Sequence, residues 1–234
     1  MRKTARTRRT AARNVGRRVE PLGNVAYKQI REAIRTGTYK PGQRVREADF
    51  AEWLRMSRTP VREALHRIES EGLISYEARR GLVIAKLDHQ MVMELYALRE
   101  TLEGTAARLA ARHASDLEIA MLEQMVRDEA EMKDDPKLLR EHNRVFHEAL
   151  FRSAHNRFLL RVIGTVRDSI MLLNQTTFSV PGRPQSAVTE HRAIVEAIVL
   201  RDADRAESAA REHIRITLRY RLKMLAGQGE EVLA

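Results

Sequence analysis

The thirteen residues from Ser57 to Glu69 constrain this chain more than any other stretch. Val61, Ala64, Leu65 and Ile68 recur at i, i+3, i+4 and i+7, which places them on one face of a helix. Arg58, Arg62, Glu63 and Arg67 lie off that stripe. Pro60 suits the first turn, where its missing N–H has no helical partner to lose. Ser57 or Thr59 is placed to cap the orphan donors there. Gly72 tolerates the left-handed conformation after the last turn, and Leu73-Ile74 returns the chain to a core. The expected result is a short helix with arginines at its front end and an apolar stripe behind.

Residues 46–55 read as a second short helix with Phe50, Ala51 and Leu54 facing inward. The tight Arg55-Met56-Ser57 connection then makes a helix-turn-helix. Downstream, 74–78 and 82–85 are short apolar segments separated by Arg79-Arg80-Gly81, the pattern of a two-stranded wing with a basic tip. Charge follows the same division. Residues 1–19 carry +8 and residues 20–87 carry +4, whereas residues 88–234 carry −2. Positive charge concentrated around a helix-turn-helix is what phosphate neutralisation requires. Residues 1–20 are poor in apolar side chains and are expected to be disordered when free. An arginine-rich, acid-free start also fits an organelle transit peptide, although this one contains no serine.

Length suits one small domain plus one larger one, and charge and the change from strand pattern to helical period near Leu87-Asp88 divide the chain into a basic tail (1–20), a winged helix-turn-helix (21–87), a larger helical domain (88–228) and a short C-terminal tail (229–234). Asp88 is placed to cap the first helix of the larger domain. Helical periodicity covers 88–114, 115–133, 137–154, 156–178, 186–201 and 203–226. The breaks fall at Asp134-Asp135-Pro136, His155-Asn156, Val180-Pro181-Gly182-Arg183-Pro184 and Asp202-Ala203-Asp204. In the first of these helices Met91, Leu95, Leu98, Leu102, Ala106, Leu109 and Ala110 keep the period. The fold class expected is mainly α, a winged helix-turn-helix followed by an all-α bundle. The chain has no cysteine, which excludes disulfides and thiolate metal sites. No run of about 18 apolar residues could span a membrane. Both features agree with a cytoplasmic location.

The segments Ile34 to Val45, Ser57 to Leu65 and Glu71-Gly72-Leu73-Ile74 resemble the winged-helix head of GntR-type transcriptional regulators. The helical remainder resembles the FCD domain of the FadR subfamily, in its six-helix VanR-type branch. This resemblance implies that Arg58, Thr59 and Arg62 contact base edges and nearby phosphates, with Ser57 beside them. Arginine suits the N7/O6 edge of guanine. It also implies that Arg80 and Gly81 approach the minor groove or backbone, and that Arg46 touches phosphate. The competing structural role for Arg62 is an ion pair with Glu69 or Glu63.

Asn143 and His147 stand at i and i+4 on one helix, with His191 and His213 on two others. Spacing alone would not join them. The FCD resemblance does, because the family places an Asp or Asn and three histidines at the matching positions. A divalent metal is implied, zinc first, with nickel or manganese as alternatives. Asn143 replaces the aspartate found in many members, and a neutral amide oxygen is a weaker ligand than a carboxylate. His113, His142 and His155 do not match the pattern. Open coordination positions imply a small carboxylate effector on the metal, with Arg99 facing the same cavity. The function implied is a homodimeric regulator that reads a near-palindromic double-stranded operator, with repression released by a metabolite as the usual polarity. Two other readings are an architectural DNA-binding dimer with a structural metal and a metal-dependent hydrolase with a DNA-binding head. The hydrolase would need a general base. Glu148 and Glu190 adjoin the histidines in sequence, but a helical neighbour at i±1 points about 100° away.

Overall fold

The computed structural model describes residues 20–132, 134–173 and 175–231, with side chains through 226. The basic segment 1–19 and the last three residues lie outside the described residues. Three helices and a hairpin form the head: α1 (Leu22–Arg35), α2 (Glu47–Leu54), α3 (Arg58–Ser70), β1 (Ile74–Glu77) and β2 (Gly81–Ile84). Helix α1 is absent from the motif-centred reading. Its buried stripe of Ala26, Tyr27, Ile30 and Ile34 packs on the Val61, Ala64, Leu65 and Ile68 face of α3, as helical spacing would dictate.

Helix α3 ends as expected. Gly72 sits at φ +75°, its N–H bonds Glu69 O at 2.9 Å, and Leu73 N–H bonds Ile68 O at 3.2 Å. Ser57 does occupy the N-cap position, but its hydroxyl makes no capping bond, so the capping expectation is corrected. Between α2 and α3, Arg55 adopts φ +53° and Met56 N–H closes on Ala51 O at 3.0 Å. The two wing strands pair antiparallel, with Ile74 opposite Ile84 and Glu77 opposite Gly81. Gly81 therefore opens β2, and the tip is Ala78-Arg79-Arg80. Arg44 adds an isolated bridge to Val83.

The bundle comprises α4 (His89–His113), α5 (Asp116–Glu131), α6 (Pro136–Ser153), α7 (Arg157–Met171), α8 (Arg183–Val199) and α9 (Ala203–Glu231). A 3-10 turn, Thr177–Ser179, follows α7. Asp88 caps α4 through Met91 N–H at 2.8 Å, and Ser115 and Glu118 form a capping box on α5.

Four sequence expectations are corrected. Helix α7 stops at Met171 rather than continuing to 178. Leu172 and Leu173 turn into two different apolar clusters, and the Arg221 guanidinium takes the carbonyls of Leu173 and Gln175. Helix α8 starts at Arg183, because Pro184 is accommodated in its first turn. The backbone of α9 runs to Glu231, into the segment read as a tail. On α4, Met91 and Leu98 are exposed, whereas Val92, Tyr96, Arg99, Glu103, Ala106, Ala107 and Ala110 face inward. Two charged residues thus stand in the core-facing stripe.

The head and bundle share a packed seam. Leu172 is buried in the head's core, with Met171 beside it. Arg31 of α1 pairs with Asp168 of α7, and Arg35 lies 3.5 Å from Glu141 of α6.

Candidate functional site

On the head, Arg46, Ser57, Arg58, Thr59, Arg62 and Arg80 are all exposed, and Gly81 is half-buried. The recognition-helix residues stand on one rim because α3 buries the opposite face. Arg62 is held by a bidentate ion pair with Glu47, both contacts at 3.0 Å, and retains 61% of its side-chain exposure. The partner is thus Glu47, not Glu69 or Glu63. Two parallel N–H···O bonds fix the plane of the guanidinium. Arg80 folds back, donating to Gly42 O at 2.9 Å and to Glu77 at 3.2 Å.

In the bundle, His147 of α6, His191 of α8 and His213 of α9 converge, with one ligand nitrogen from each lying within 4.8 Å of the others. All three are buried. Each Nδ1 faces a different glutamate: His191 meets Glu129 Oε2 at 2.7 Å, His213 meets Glu190 Oε2 at 2.7 Å, and His147 lies 3.1 Å from Glu103 Oε2 in an oblique contact. Behind His191 and His213 a hydrogen-bonded carboxylate favours the proton on Nδ1 and leaves Nε2 as the free donor nitrogen, whereas the Glu103 contact to His147 lacks hydrogen-bond geometry. Nε2 of His191 and both ring nitrogens of His147 are buried without a hydrogen-bond partner. An orphaned, neutral imidazole nitrogen is costly in a core unless something binds it, and a divalent metal is the group this donor set fits.

Electrostatics agrees with neutral rings at His191 and His213. Burial pushes His213 well below the usual histidine range, and the neighbouring His191 and His147 add to it. Burial lowers His191 as well, against the opposing pull of Glu129. Burial alone would raise Glu103, but Arg99 and His147 overcome it and hold the carboxyl at about 2. Glu190 is raised by burial, with Arg183 and Ser186 acting in opposition. Arg183 grips both Glu190 oxygens at 2.8 and 3.0 Å and Thr217 Oγ1 at 3.0 Å, which fixes the orientation of the carboxylate behind His213.

His147 is where the cluster meets open space. A cavity of about 360 Å³ is lined by His147, Asn143, Arg99 and Glu103 and extends to the seam with α1. Asn143 is half-buried one turn before His147, as their i, i+4 spacing requires. Arg99 donates to Glu103 at 2.9 Å and lies over the Tyr96 ring, so it is a buried wall of the cavity. The structure therefore gathers the three histidines, with Asn143 and Arg99 beside them on the cavity wall. His142 bonds Met125 O and His155 bonds Glu118, away from the cluster. Glu148 pairs with Arg144 and Arg152, and Glu190 with Arg183 and His213, which leaves neither placed as a base. Sequence reasoning missed Glu103 and Glu129, and it weighed Glu190 only as a base. The available signal was an acid on the inward stripe of a helix, at Glu103 next to Arg99.

Comparison with known proteins agrees with this architecture. Residues 22–84 match the model of bacterial regulatory proteins of the gntR family, and residues 94–216 match the FCD domain. The chain is 30% identical to the HTH-type transcriptional regulator YdhC of Bacillus subtilis over 88% of this chain and 92% of that one. It is 25% identical to the HTH-type transcriptional repressor RspR of Escherichia coli over 83% and 86%. The fold is similar to that of E. coli McbR/YncC, with a TM-score of 0.75 and 19% identity over 88% of this chain and 100% of that one. A GntR regulator from Rhodococcus sp. RHA1 superposes with a TM-score of 0.68 and 19% identity, covering 86% and 97%. These relatives are regulators, not enzymes. With a GntR head, an FCD bundle and its inward histidines, the chain belongs to the GntR family of bacterial transcriptional regulators, in the group that carries an FCD domain.

Proposed function

We propose that this protein is a homodimeric, cytoplasmic repressor that reads a near-palindromic operator through two winged heads. A small organic acid, bound at a divalent metal in the bundle (88–228), controls its affinity for that operator. Arg58, Thr59 and Arg62 read base edges, Ser57 and Arg46 meet phosphate, and the wing at Arg80 and Gly81 tracks the adjacent groove. The uncapped Ser57 hydroxyl supports this, since it remains available to a phosphate oxygen.

His147, His191 and His213 would hold the metal, zinc first and nickel or manganese after it, with Asn143 as a weaker oxygen donor. The ion supplies positive charge and an open position for a carboxylate, and Arg99 contributes a charged donor beside it. The observation that carries this reading is the pair of buried, unpartnered Nε2 atoms on rings whose Nδ1 atoms face glutamates. No helix among the described residues is long and apolar enough to cross a membrane.

Two measurements test the proposal. DNA selected from a random pool by the wild type should bind Arg58→Ala and Arg62→Ala at least about tenfold more weakly at fixed salt. Unchanged affinity refutes the assignment of α3. Elemental analysis of His147→Ala combined with His191→Ala should show loss of the bound metal. Full retention refutes the site.

A further inference from the structure

The recognition rim is not a row of bare cations. Arg58, Arg62 and His66 follow one another at i, i+4 and i+8 on α3 and all three are exposed, so they line one edge of the helix. An acid from the other helix of the motif sits against that edge: Glu47, the first residue of α2. Its carboxylate accepts from Arg62 Nε at Oε2 and from Arg62 Nη2 at Oε1, both at 3.0 Å. We propose that Glu47 is a positioning residue that sets the selectivity of this head: it orients Arg62 for a base edge and cancels the charge with which Arg62 would otherwise hold any phosphate. This inference rests on the assignment of α3 given above.

The carboxylate has a fixed seat. Phe50 and Ala51, one turn on from Glu47, are buried in the head's core and pin α2 against α3. A place in the first turn of α2 favours the ionised form. The hydrogen bonds from Arg62 hold the Glu47 carboxyl below the usual carboxylate range; burial opposes this, and the charges of Arg62, Arg58 and His66 add to it. Glu47 keeps 26% of its side-chain exposure against 61% for Arg62, so the carboxylate lies beneath and the guanidinium faces outward.

Donor geometry completes the argument. A guanidinium carries five N–H groups in a planar fork. Glu47 uses the side formed by Nε and Nη2, which leaves the end formed by Nη1 and Nη2. That end has the two parallel donors that match N7 and O6 of guanine. A lysine could not be divided in this way, because its ammonium has no second planar edge. Each cation placed on a phosphate releases counterions whatever the sequence, and so strengthens operator and random duplex alike. Arg62 paired with Glu47 adds little of that general attraction, yet keeps a base-reading edge.

The test measures the affinity of the full-length protein for two duplexes, one selected from a random pool by the wild type and one of scrambled sequence, over a series of salt concentrations. Glu47→Gln keeps the side chain's size and removes its charge. It should bind the scrambled duplex more tightly, with a slope of log affinity against log salt steeper by about 0.9, and its preference for the selected duplex should fall at least about fivefold. Glu52→Gln, which removes an exposed acid elsewhere on α2, should change that preference by less than about twofold. Arg62→Met tests the same point without touching Glu47: it should lose preference while its salt slope on scrambled DNA stays within about 0.3 of the wild type, because Glu47 already cancels that charge. Adding Glu47→Gln to Arg62→Met should take away no further preference. A preference within about twofold of the wild type in Glu47→Gln would overturn the inference, and so would equal weakening on both duplexes, which is the outcome if Glu47 only holds α2 against α3. A salt slope that falls by about 0.9 in Arg62→Met, or further loss of preference in the double variant, would overturn it as well. Unchanged binding of the selected duplex by Arg58→Ala and Arg62→Ala would overturn the reading of α3, and the inference with it.

Discussion

Replacing Glu129 with glutamine tests whether the buried carboxylates tune a metal held by the histidines or only pack the core. Glu129 and His191 are fully buried, with Nδ1 and Oε2 2.7 Å apart, and the other carboxylate oxygen of Glu129 has no partner. Glutamine keeps the shape and still offers a carbonyl to the His191 N–H, so the hydrogen bond survives and the charge is lost. Without metal, removing a buried charge should leave stability within about 1 kcal/mol of the wild type. With metal, the loss of a carboxylate behind a ligating imidazole should cost about 10–100-fold in affinity, or about 1.4–2.7 kcal/mol. Glu129→Ala differs, because it leaves His191 Nδ1 buried and unpaired and should destabilise the metal-free fold by about 1–3 kcal/mol for the orphaned donor. Zinc affinity is measured by competition with a chromogenic chelator at pH 7.5, and stability by urea melts after chelation. If Glu129→Gln binds zinc within about threefold of the wild type, the glutamates only fill space and the tuning argument fails.

Three further outcomes follow from the geometry. The Arg31–Asp168 pair at the seam is about a quarter exposed, so a double-mutant cycle with Arg31→Ala and Asp168→Ala in urea should return a coupling of about 1 kcal/mol, and a coupling near zero would mean the seam rests on its other contacts, Leu172 with Met171 and Arg35 with Glu141. Gly81 sits at φ +79° with open space where a Cβ would go, so Gly81→Ala should lose about 1 kcal/mol from backbone strain alone, read from the urea midpoint. In metal-free protein, both His213 and Glu103 are shifted down on folding, so each stabilises at high pH. The His213 contribution fades as pH falls below about 6.5, and that of Glu103 between about 4.5 and about 2. Urea midpoints at pH 8, 6 and 5 should therefore decline, and a flat profile would contradict the burial argument.

The helix-turn-helix and wing were legible because every local signal agreed: stripe, proline, glycine and charge. Helix α1 carries an equally readable stripe but no motif, so a reading anchored on Ser57 to Glu69 passes over it. Helix α4 misleads for a physical reason. Apolar period selects Met91 and Leu98, yet burial selects Arg99 and Glu103, because these two neutralise each other beside His147. Polar residues displacing apolar ones from a core stripe mark a site. The three histidines are legible as a set only through family resemblance, since 66 residues separate His147 from His213. The glutamates behind them come from α4, α5 and α8, and no sequence spacing relates Glu129 to His191. The end of α7 escapes because its cause, the Arg221 guanidinium on the carbonyls of Leu173 and Gln175, lies some 50 residues away.

The cavity's position constrains how a ligand could act on DNA. A ligand shifts the protein between two arrangements only by binding them unequally. A site enclosed wholly within the bundle would have to transmit strain through packed helices to achieve this. Here the head itself supplies Arg31 and Arg35 to the wall, and Asp168 of the bundle competes with any incoming anion for Arg31. An anion in this cavity would bind more tightly to a head placement that keeps those guanidinium groups in the wall than to one that withdraws them. That difference would act directly on α1, whose buried stripe packs on α3 and whose Arg31 bonds Tyr27 of that stripe. If the coupling runs this way, Arg35→Met should leave metal binding intact and weaken operator affinity's response to ligand more than ligand affinity itself. Equal losses in both would place Arg35 in binding alone.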